Sequence, residues 1–205
     1  MIAIIDYGVG NLRSVEKAFA AVGEKAVITR EANVIRGSSH VVLPGVGAFR
    51  DAMTELGSHG LVDAVKEAVA SDKPFLGICL GMQLLFEKSY EDGEHAGLGI
   101  LPGEITGITG VRKVPHMGWN ALKMASDCPL FFGLTDPVMA YFVHSYYLAE
   151  APQEIVAAKT DYGRNFVSAV WRGNLFATQF HPEKSGVAGL KMLKNFAELS
   201  GGAPC

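Results

Sequence analysis

The sequence predicts an α/β fold, with a parallel sheet covered by helices on both faces and an antiparallel extension in the second half of the chain. Three observations carry that expectation. In the first half, short β-branched runs alternate with stretches of helical periodicity. In the second half, strand-like runs crowd together with turn residues between them. Glycine-rich bends come after several apolar runs, at the strand ends where open α/β sheets collect their functional groups.

Taken in order, Ile2–Ile5 is a buried strand by composition, ended by the turn Asp6-Tyr7-Gly8-Val9-Gly10-Asn11. Leu12, Val15, Phe19 and Val22 then share one helical face, and Gly23 is suited to stop that helix. Ala26–Thr29 and His40–Leu43 read as the next strands, the second cut off by Pro44-Gly45-Val46-Gly47. Leu61, Val65, Ala68 and Val69 form another helical stripe, ending near Lys73-Pro74. Phe75–Cys79 is a strand that hands over to a helical stretch, Leu80–Phe86. Further on, Tyr141–Leu148, Ile155–Lys159, Phe166–Trp171 and Leu175–Phe180 are closely spaced strands. Asp161-Tyr162-Gly163 and Arg172-Gly173-Asn174 supply hairpin turns among them. Leu190, Leu193, Phe196 and Ala197 restore the helical period. With no linker, repeat or low-complexity tract, the expected organisation is one domain over residues 1–200 and a loose tail at 201–205.

Composition narrows the function. The chain has 205 residues, 49% of them hydrophobic and 19% charged, which suits a packed core and excludes a disordered polymer. Lys plus Arg total 18 against 21 Asp plus Glu, so no basic excess exists to hold a nucleic-acid backbone. No apolar run reaches the roughly 18 residues of a membrane helix. The opening Met1–Asp6 lacks a basic leader and meets a carboxylate at once, so the expectation is a cytoplasmic protein without a signal peptide. Cys79, Cys128 and Cys205 form no CxxC pair. His40, His59, His95 and Cys128 have no metal-ligand spacing, so neither a metal nor a disulfide framework is expected. Gly8-x-Gly10 lacks the third glycine of a dinucleotide loop, where Arg13 stands, and no cofactor is expected.

The residues that can carry chemistry lie at strand ends. Gly77-Ile78-Cys79-Leu80-Gly81 sits where a strand becomes a helix, a bend that exposes a nucleophile on strained backbone between glycines that allow close packing. At the helix start, unpaired N–H groups and the dipole favour a thiolate. His181-Pro182-Glu183 comes directly after another apolar strand. A neutral imidazole there can take the thiol proton and return it to a departing amine, and a carboxylate two residues on can hold the ring. Pro44-Gly45-Val46-Gly47 offers a backbone N–H near Val46 which, with that of Leu80, would complete an oxyanion hole. Gln83, four residues after Cys79, shares its helix face and can bind a small polar substrate.

This combination, Gly-Ile-Cys-Leu-Gly and then Phe-His-Pro-Glu about a hundred residues later, resembles the class I, triad-type glutamine amidotransferases. Asp6–Leu12, Pro44–Phe49, Gly77–Leu85, Pro115–Asn120, Phe142–Tyr146 and Gln179–Ser185 further resemble the branch that serves as glutaminase subunits of imidazole glycerol phosphate synthases. The block Pro115-His116-Met117-Gly118-Trp119-Asn120 weighs most in that choice. The resemblance implies a flavodoxin-like parallel central sheet and a reaction in which Cys79 attacks the glutamine side-chain amide, releasing ammonia and leaving a glutamyl thioester. It implies His181 as base then acid, Glu183 as its orienter, and Leu80 and Val46 as oxyanion donors. Gly47, Gln83, Ser145 and Tyr146 would hold glutamine. Ammonia would pass to a (β/α)₈ cyclase subunit of histidine biosynthesis, docked on Tyr7, Asn11, His116, Met117, Trp119, Asn120 and Lys184.

Other readings stay open on the residues themselves. A glutaminase serving a different synthase, such as one making pyridoxal phosphate, would share the triad but not the Trp119 block. A flavodoxin-like redox or chaperone module would use an elbow cysteine without needing Glu183. Trp119 itself suits an exposed interface anchor or an ordinary core residue.

Overall fold

A computed structural model of the chain describes residues 1–111, 113–125 and 127–201. The first half alternates as expected: β1 (Ile2–Ile5), α1 (Leu12–Ala21), β2 (Ala26–Thr29), α2 (Ala32–Gly37), β3 (His40–Leu43), α3 (Phe49–Ser58), α4 (Val62–Ala70), β4 (Phe75–Ile78) and α5 (Leu80–Gln83). Then come β5 (Lys88–Ser89), β6 (His95–Ala96), β7 (Glu104–Gly107), β8 (His116–Met124), β9 (Val138–His144), β10 (Tyr146–Leu148), β11 (Val156–Asp161), β12 (Asn165–Arg172), β13 (Leu175–Thr178) and α6 (Gly186–Glu198).

Strands β2, β1, β3, β4 and β13 pair in parallel in that order, and β12 joins β13 antiparallel to begin the extension through β10, β7, β5 and β6. Period-2 alternation sorts the side chains. Ala3 and Ile5 face Leu56 of α3 and Val65 of α4, while Ile2 and Ile4 face Val15 and Phe19 of α1 and Phe196 of α6. A four-residue strand buried on both faces can be apolar throughout, and β1, β3, β4 and β13 are largely so.

Three differences from the sequence reading have physical causes. The run Tyr141–Leu148 is two strands, broken at Ser145, because β9 pairs with β8 whereas β10 pairs with β7 and β12. Helix α5 is a single turn rather than the stretch Leu80–Phe86. The carbonyls of Leu84 and Leu85, which would continue it, instead accept the N–H groups of Leu98, Ile100 and Leu101. Helix α3 is absent from the sequence reading, although Phe49, Ala52 and Leu56 bury one face of it at helical spacing. Its first N–H is held by the distant carboxylate of Glu91, at 2.7 Å. Of the tail, Gly201 is an exposed bend, and 202–205, with Cys205, lie outside the described residues.

The parallel strands end along one edge, and their register decides which segments emerge together. Leu43 pairs with Gly77, and Ile78 with Thr178, so Pro44–Gly47, Cys79 and Gln179–Glu183 leave the sheet side by side. Glycines make the closure possible: a Cβ on Gly81 would collide with the Leu43 carbonyl oxygen, and one on Gly45 would come within 2.9 Å of the Gly81 nitrogen. Gly81→Ala is therefore expected to destabilise the chain by about 2–4 kcal/mol, through overpacking against backbone that cannot retreat. Gly57→Ala, in the exposed part of α3 with open space around it, is expected to stabilise by roughly 0.5–1 kcal/mol. Urea denaturation of the two variants checks both.

Candidate active site

Cys79 occupies the tight bend between β4 and α5 at φ 55°, ψ −110°, a left-handed conformation for a residue with a Cβ. Such backbone costs about 1–3 kcal/mol unless its surroundings impose it. Here they do: the Cys79 N–H is tied to the Thr178 carbonyl at 2.7 Å, and its own carbonyl accepts from Met82 and Gln83. The bend turns the sulfur into a cleft although the residue is only 6% exposed. Since α5 is one turn long, the favourable field at the sulfur comes from local N–H groups rather than a long helix dipole. The Leu80 N–H, first in the helix, has no partner within it.

His181 and Glu183 lie just beyond β13. Nδ1 of His181 lies 2.8 Å from Oε1 of Glu183, with both side chains almost wholly buried. The segment is pinned by its own backbone: the His181 N–H donates to the Tyr141 carbonyl, and Ser185 Oγ donates to the His181 carbonyl while accepting from the Tyr141 N–H. His181 Nε2 is buried without a hydrogen-bond partner. Burial by itself disfavours the imidazolium, but the neighbouring Cys79 sulfur and the Glu183 carboxylate outweigh it and hold the His181 pKa up, at about 10. The proton that sequence reasoning moves during attack thus already sits on the ring.

The cleft, about 360 Å³, is lined by Val46, Gly47, Cys79, Leu80, Gln83 and Glu91 on one side. Pro115 and the segment Val143-His144-Ser145-Tyr146 close the other. Gly47 takes φ +95° there. All four substrate-side candidates, Gly47, Gln83, Ser145 and Tyr146, therefore meet at one cavity, together with Val46 and Leu80. Gln83 has less to offer a ligand than its sequence position suggests, because its Nε2 donates to the Tyr146 carbonyl and to Gln179 Oε1, each at 2.9 Å. Sequence reasoning misses two residues. Glu91 brings a carboxylate to the cleft from a short loop after β5, with no motif to announce it. Gln179, fully buried, approaches the sulfur with its Nε2 at 3.7 Å; its place directly before Phe180-His181 is the available signal.

The residues expected at a docking face divide in two. Met117 and Trp119 are 57% and 54% exposed, and alternate along β8 with Gly118 and Asn120. Across the hairpin Trp119 meets Tyr141 edge-on, the Lys184 ammonium lies 5.9 Å from that ring's centre, and Val187 and Met139 are exposed nearby. Asn11 is also exposed. Tyr7 and His116 do not belong to a docking face. Tyr7 is fully buried and donates its hydroxyl to the Pro44 carbonyl, and His116 points inward, stacked between Phe142 and Tyr162. Asn120 shares that inward face, donating to the Asp161 carbonyl and lying 3.3 Å from His116 Nε2. His116 Nδ1 in turn lies 2.9 Å from His144 Nε2. Burial lowers both imidazoles, His116 to about 4 and His144 to about 3. Cys128 is a core residue whose thiol burial pushes up to about 12. Among the described residues no group of three or more His, Cys, Asp or Glu could hold a metal ion, and no helix is long and apolar enough to cross a membrane.

A strand-elbow cysteine facing a histidine–glutamate pair in an α/β sheet defines a class, and the chain belongs to it: the family model "Glutamine amidotransferase class-I" matches residues 3–199. Within the family it is similar to the imidazole glycerol phosphate synthase subunit HisH of Syntrophotalea carbinolica, at 52% identity over 97% of this chain and all of that one. It is 50% identical to the subunit of the same name from Desulfitobacterium hafniense, over 97% and 94% of the two chains. The Bacillus cereus HisH subunit is 52% identical over 96% and 93%. Solved structures share the fold at low identity. One titled a crystal structure of glutamine amidotransferase has a TM-score of 0.75 at 19% identity, over 96% and 100% of the chains. The glutaminase domain of the Trypanosoma brucei CTPS superposes with a TM-score of 0.68 at 19% identity, over 99% and 96%.

The histidines give opposite pH signatures. A His181 pKa raised from 6.5 contributes stability that is present below pH 6.5 and lost as pH climbs toward about 10. His116 and His144, lowered from 6.5, contribute stability present above that value and lost as pH falls toward about 4 and about 3. By ¹⁵N NMR, His116 and His144 are expected to stay neutral down to pH ~5.5 while His181 stays protonated up to pH ~8, against an ordinary imidazole midpoint of about 6.5.

Proposed function

We propose that this chain hydrolyses glutamine through a thioester on Cys79 and delivers the ammonia to a (β/α)₈ cyclase subunit that makes imidazole glycerol phosphate in histidine biosynthesis. The observation that carries the reading is a cleft-lining Cys79 backed by the buried His181–Glu183 pair, in a chain about half identical to HisH subunits from end to end. Glutamine's charges suit the cavity: the Glu91 carboxylate can receive the α-ammonium group, and the backbone around Gly47, Ser145 and Tyr146 can hold the remaining polar atoms.

The Cys79 thiolate attacks Cδ of glutamine, and the resulting oxyanion is met by the N–H groups of Leu80 and Val46. His181 gives its proton to the departing nitrogen, the C–N bond breaks, and ammonia leaves a glutamyl thioester. Neutral His181 then takes a proton from water as the hydroxide attacks the thioester. The sulfur departs as thiolate with the imidazolium restored, and glutamate is released. Glu183 keeps the ring oriented and stabilises its charge at both stages. In this reading the cyclase, when loaded with its own substrate, sets the Val46 loop so that its N–H faces the reacting carbonyl. Residues 1–200 act as one domain, in the cytoplasm.

The docking surface is the exposed face carrying Met117, Trp119 and Lys184, and exposed Asn11 is assigned to it as well. That face adjoins the cleft through Val143, which lines the cavity and whose strand neighbour across the hairpin is Met117. Cys79→Ala is expected to abolish glutamine hydrolysis while the cyclase paired with it still uses added ammonium salt; a retained glutaminase rate would remove Cys79 as nucleophile. Trp119→Ala, which alters only an exposed side chain, is expected to weaken cyclase binding by about 2 kcal/mol or more, the scale of an interface hot spot. Titration calorimetry with the purified cyclase measures it.

A further inference from the structure

Hydrogen-bond direction can be traced from the Tyr146 carbonyl through Gln83 and Gln179, and it leads to the sulfur. A backbone carbonyl only accepts, so the Gln83 group that meets the Tyr146 oxygen at 2.9 Å must be its NH₂. The same nitrogen lies 2.9 Å from the Gln179 amide, which must therefore turn its oxygen to Gln83. Only one orientation is left: the Gln179 NH₂ faces Cys79 Sγ, at 3.7 Å. Gln179 is completely buried, so it cannot exchange these partners for water without opening the core.

A second branch runs the other way from the same carbonyl. His144 Nδ1 lies 2.9 Å from the Tyr146 oxygen and so carries a hydrogen. Kept neutral by burial, the ring then presents Nε2 as an acceptor, and His116 Nδ1 donates to it at 2.9 Å. His116 Nε2 is left as an acceptor, toward the Asn120 NH₂ at 3.3 Å. Asn120 is itself fixed, because its oxygen accepts from the Ala121 N–H and its nitrogen donates to the Asp161 carbonyl. Each link has one donor and one acceptor, and no member needs a second tautomer.

We propose that Gln179 is a further catalytic residue of this site. Its side-chain amide donates to the Cys79 sulfur and stabilises the thiolate, in an orientation imposed by the positioning residue Gln83, itself fixed by the Tyr146 carbonyl. The sulfur then has two supports of different kinds. His181 supplies a mobile proton and a charge, whereas Gln179 supplies a fixed dipole that stays in place when the imidazolium gives its proton away. A fixed donor of this kind favours the thiolate both as attacking group and as leaving group of the thioester. The consequence for glutamine turnover rests on the glutaminase reading; the effect on the sulfur does not.

The test is the pH dependence of Cys79 alkylation by iodoacetamide in the isolated full chain, read at that residue by mass spectrometry. It needs no glutamine, so it gives a result even if the glutaminase reading fails. His181, Glu183, His144, Tyr7 and Glu91 are the titratable groups around the sulfur and its cleft, and all are retained in Gln179→Leu and Gln83→Met. In Gln179→Leu the midpoint is expected to rise by about one pH unit, a tenfold change in the ionisation constant. Gln83→Met, which frees the amide to turn, is expected to shift it the same way by roughly half as much. In glutamine hydrolysis, Gln179→Leu should lower kcat about tenfold with KM little changed. An unchanged alkylation midpoint in folded Gln179→Leu overturns the proposal. Should that variant not fold, an unchanged midpoint in Gln83→Met does so.

Discussion

Backbone from three directions closes on Cys79, and the left-handed bend there exists because nothing larger than hydrogen stands in the way. Gly81 abuts the end of β3, Gly45 abuts the first turn of α5, and a Cβ on Gly77 would meet the Gly81 carbonyl at 3.0 Å. With those contacts made, the chain has no room to relax toward an ordinary φ, and the sulfur is held in the cleft instead of the core. Strain that would be unfavourable in isolation becomes the lowest state available. The oxyanion-side loop, the elbow and the histidine segment can then share one edge, since parallel register has already aligned β3, β4 and β13.

Two imidazole environments on opposite sides of that sulfur show how burial can act in contrary directions. His181 is buried between the Cys79 sulfur and the Glu183 carboxylate, and its charged form prevails. His144 and His116 are buried against each other and a carbonyl, with no anion in contact, so the neutral form prevails and the rings serve as one-way hydrogen-bond links. The first arrangement suits proton transfer. The second suits fixing geometry. Both lie within one small hydrophobic surround, in which Phe142 and Phe166 pack against the paired rings.

The β8–β9 hairpin serves the two faces of the molecule at once through simple alternation. His116 and Asn120 turn inward to the hydrogen-bond chain, and Met117 and Trp119 turn outward to solvent. Any partner that grips the outer residues therefore holds the same two strands that position the inner ones. The break at Ser145, where β9 leaves one pairing and β10 enters another, carries Val143 to Tyr146 across the mouth of the cleft and presents the Tyr146 carbonyl to both His144 and Gln83.

Local sequence alone determined much of this protein. The buried strands of the first half, the elbow around Cys79, the His181–Glu183 pair and the glycine loop at Val46 were all legible, because apolar period, glycine placement and strand ends are properties of short segments. Helix α3 was equally local and could have been read from Phe49, Ala52 and Leu56. Tertiary structure decided the rest. Tyr7 and His116 look like surface residues within polar, glycine-rich blocks, yet packing takes both inside. Trp119 had no local signal to separate core from surface; strand alternation in a hairpin with one uncovered face settled its exposure. Gln179 and Gln83, and His144 and His116, become two directed branches meeting at the Tyr146 carbonyl only when segments up to about a hundred residues apart are brought within hydrogen-bond distance. Direction in such a branch is set by which groups can only accept, and that is known only once the fold has chosen their neighbours.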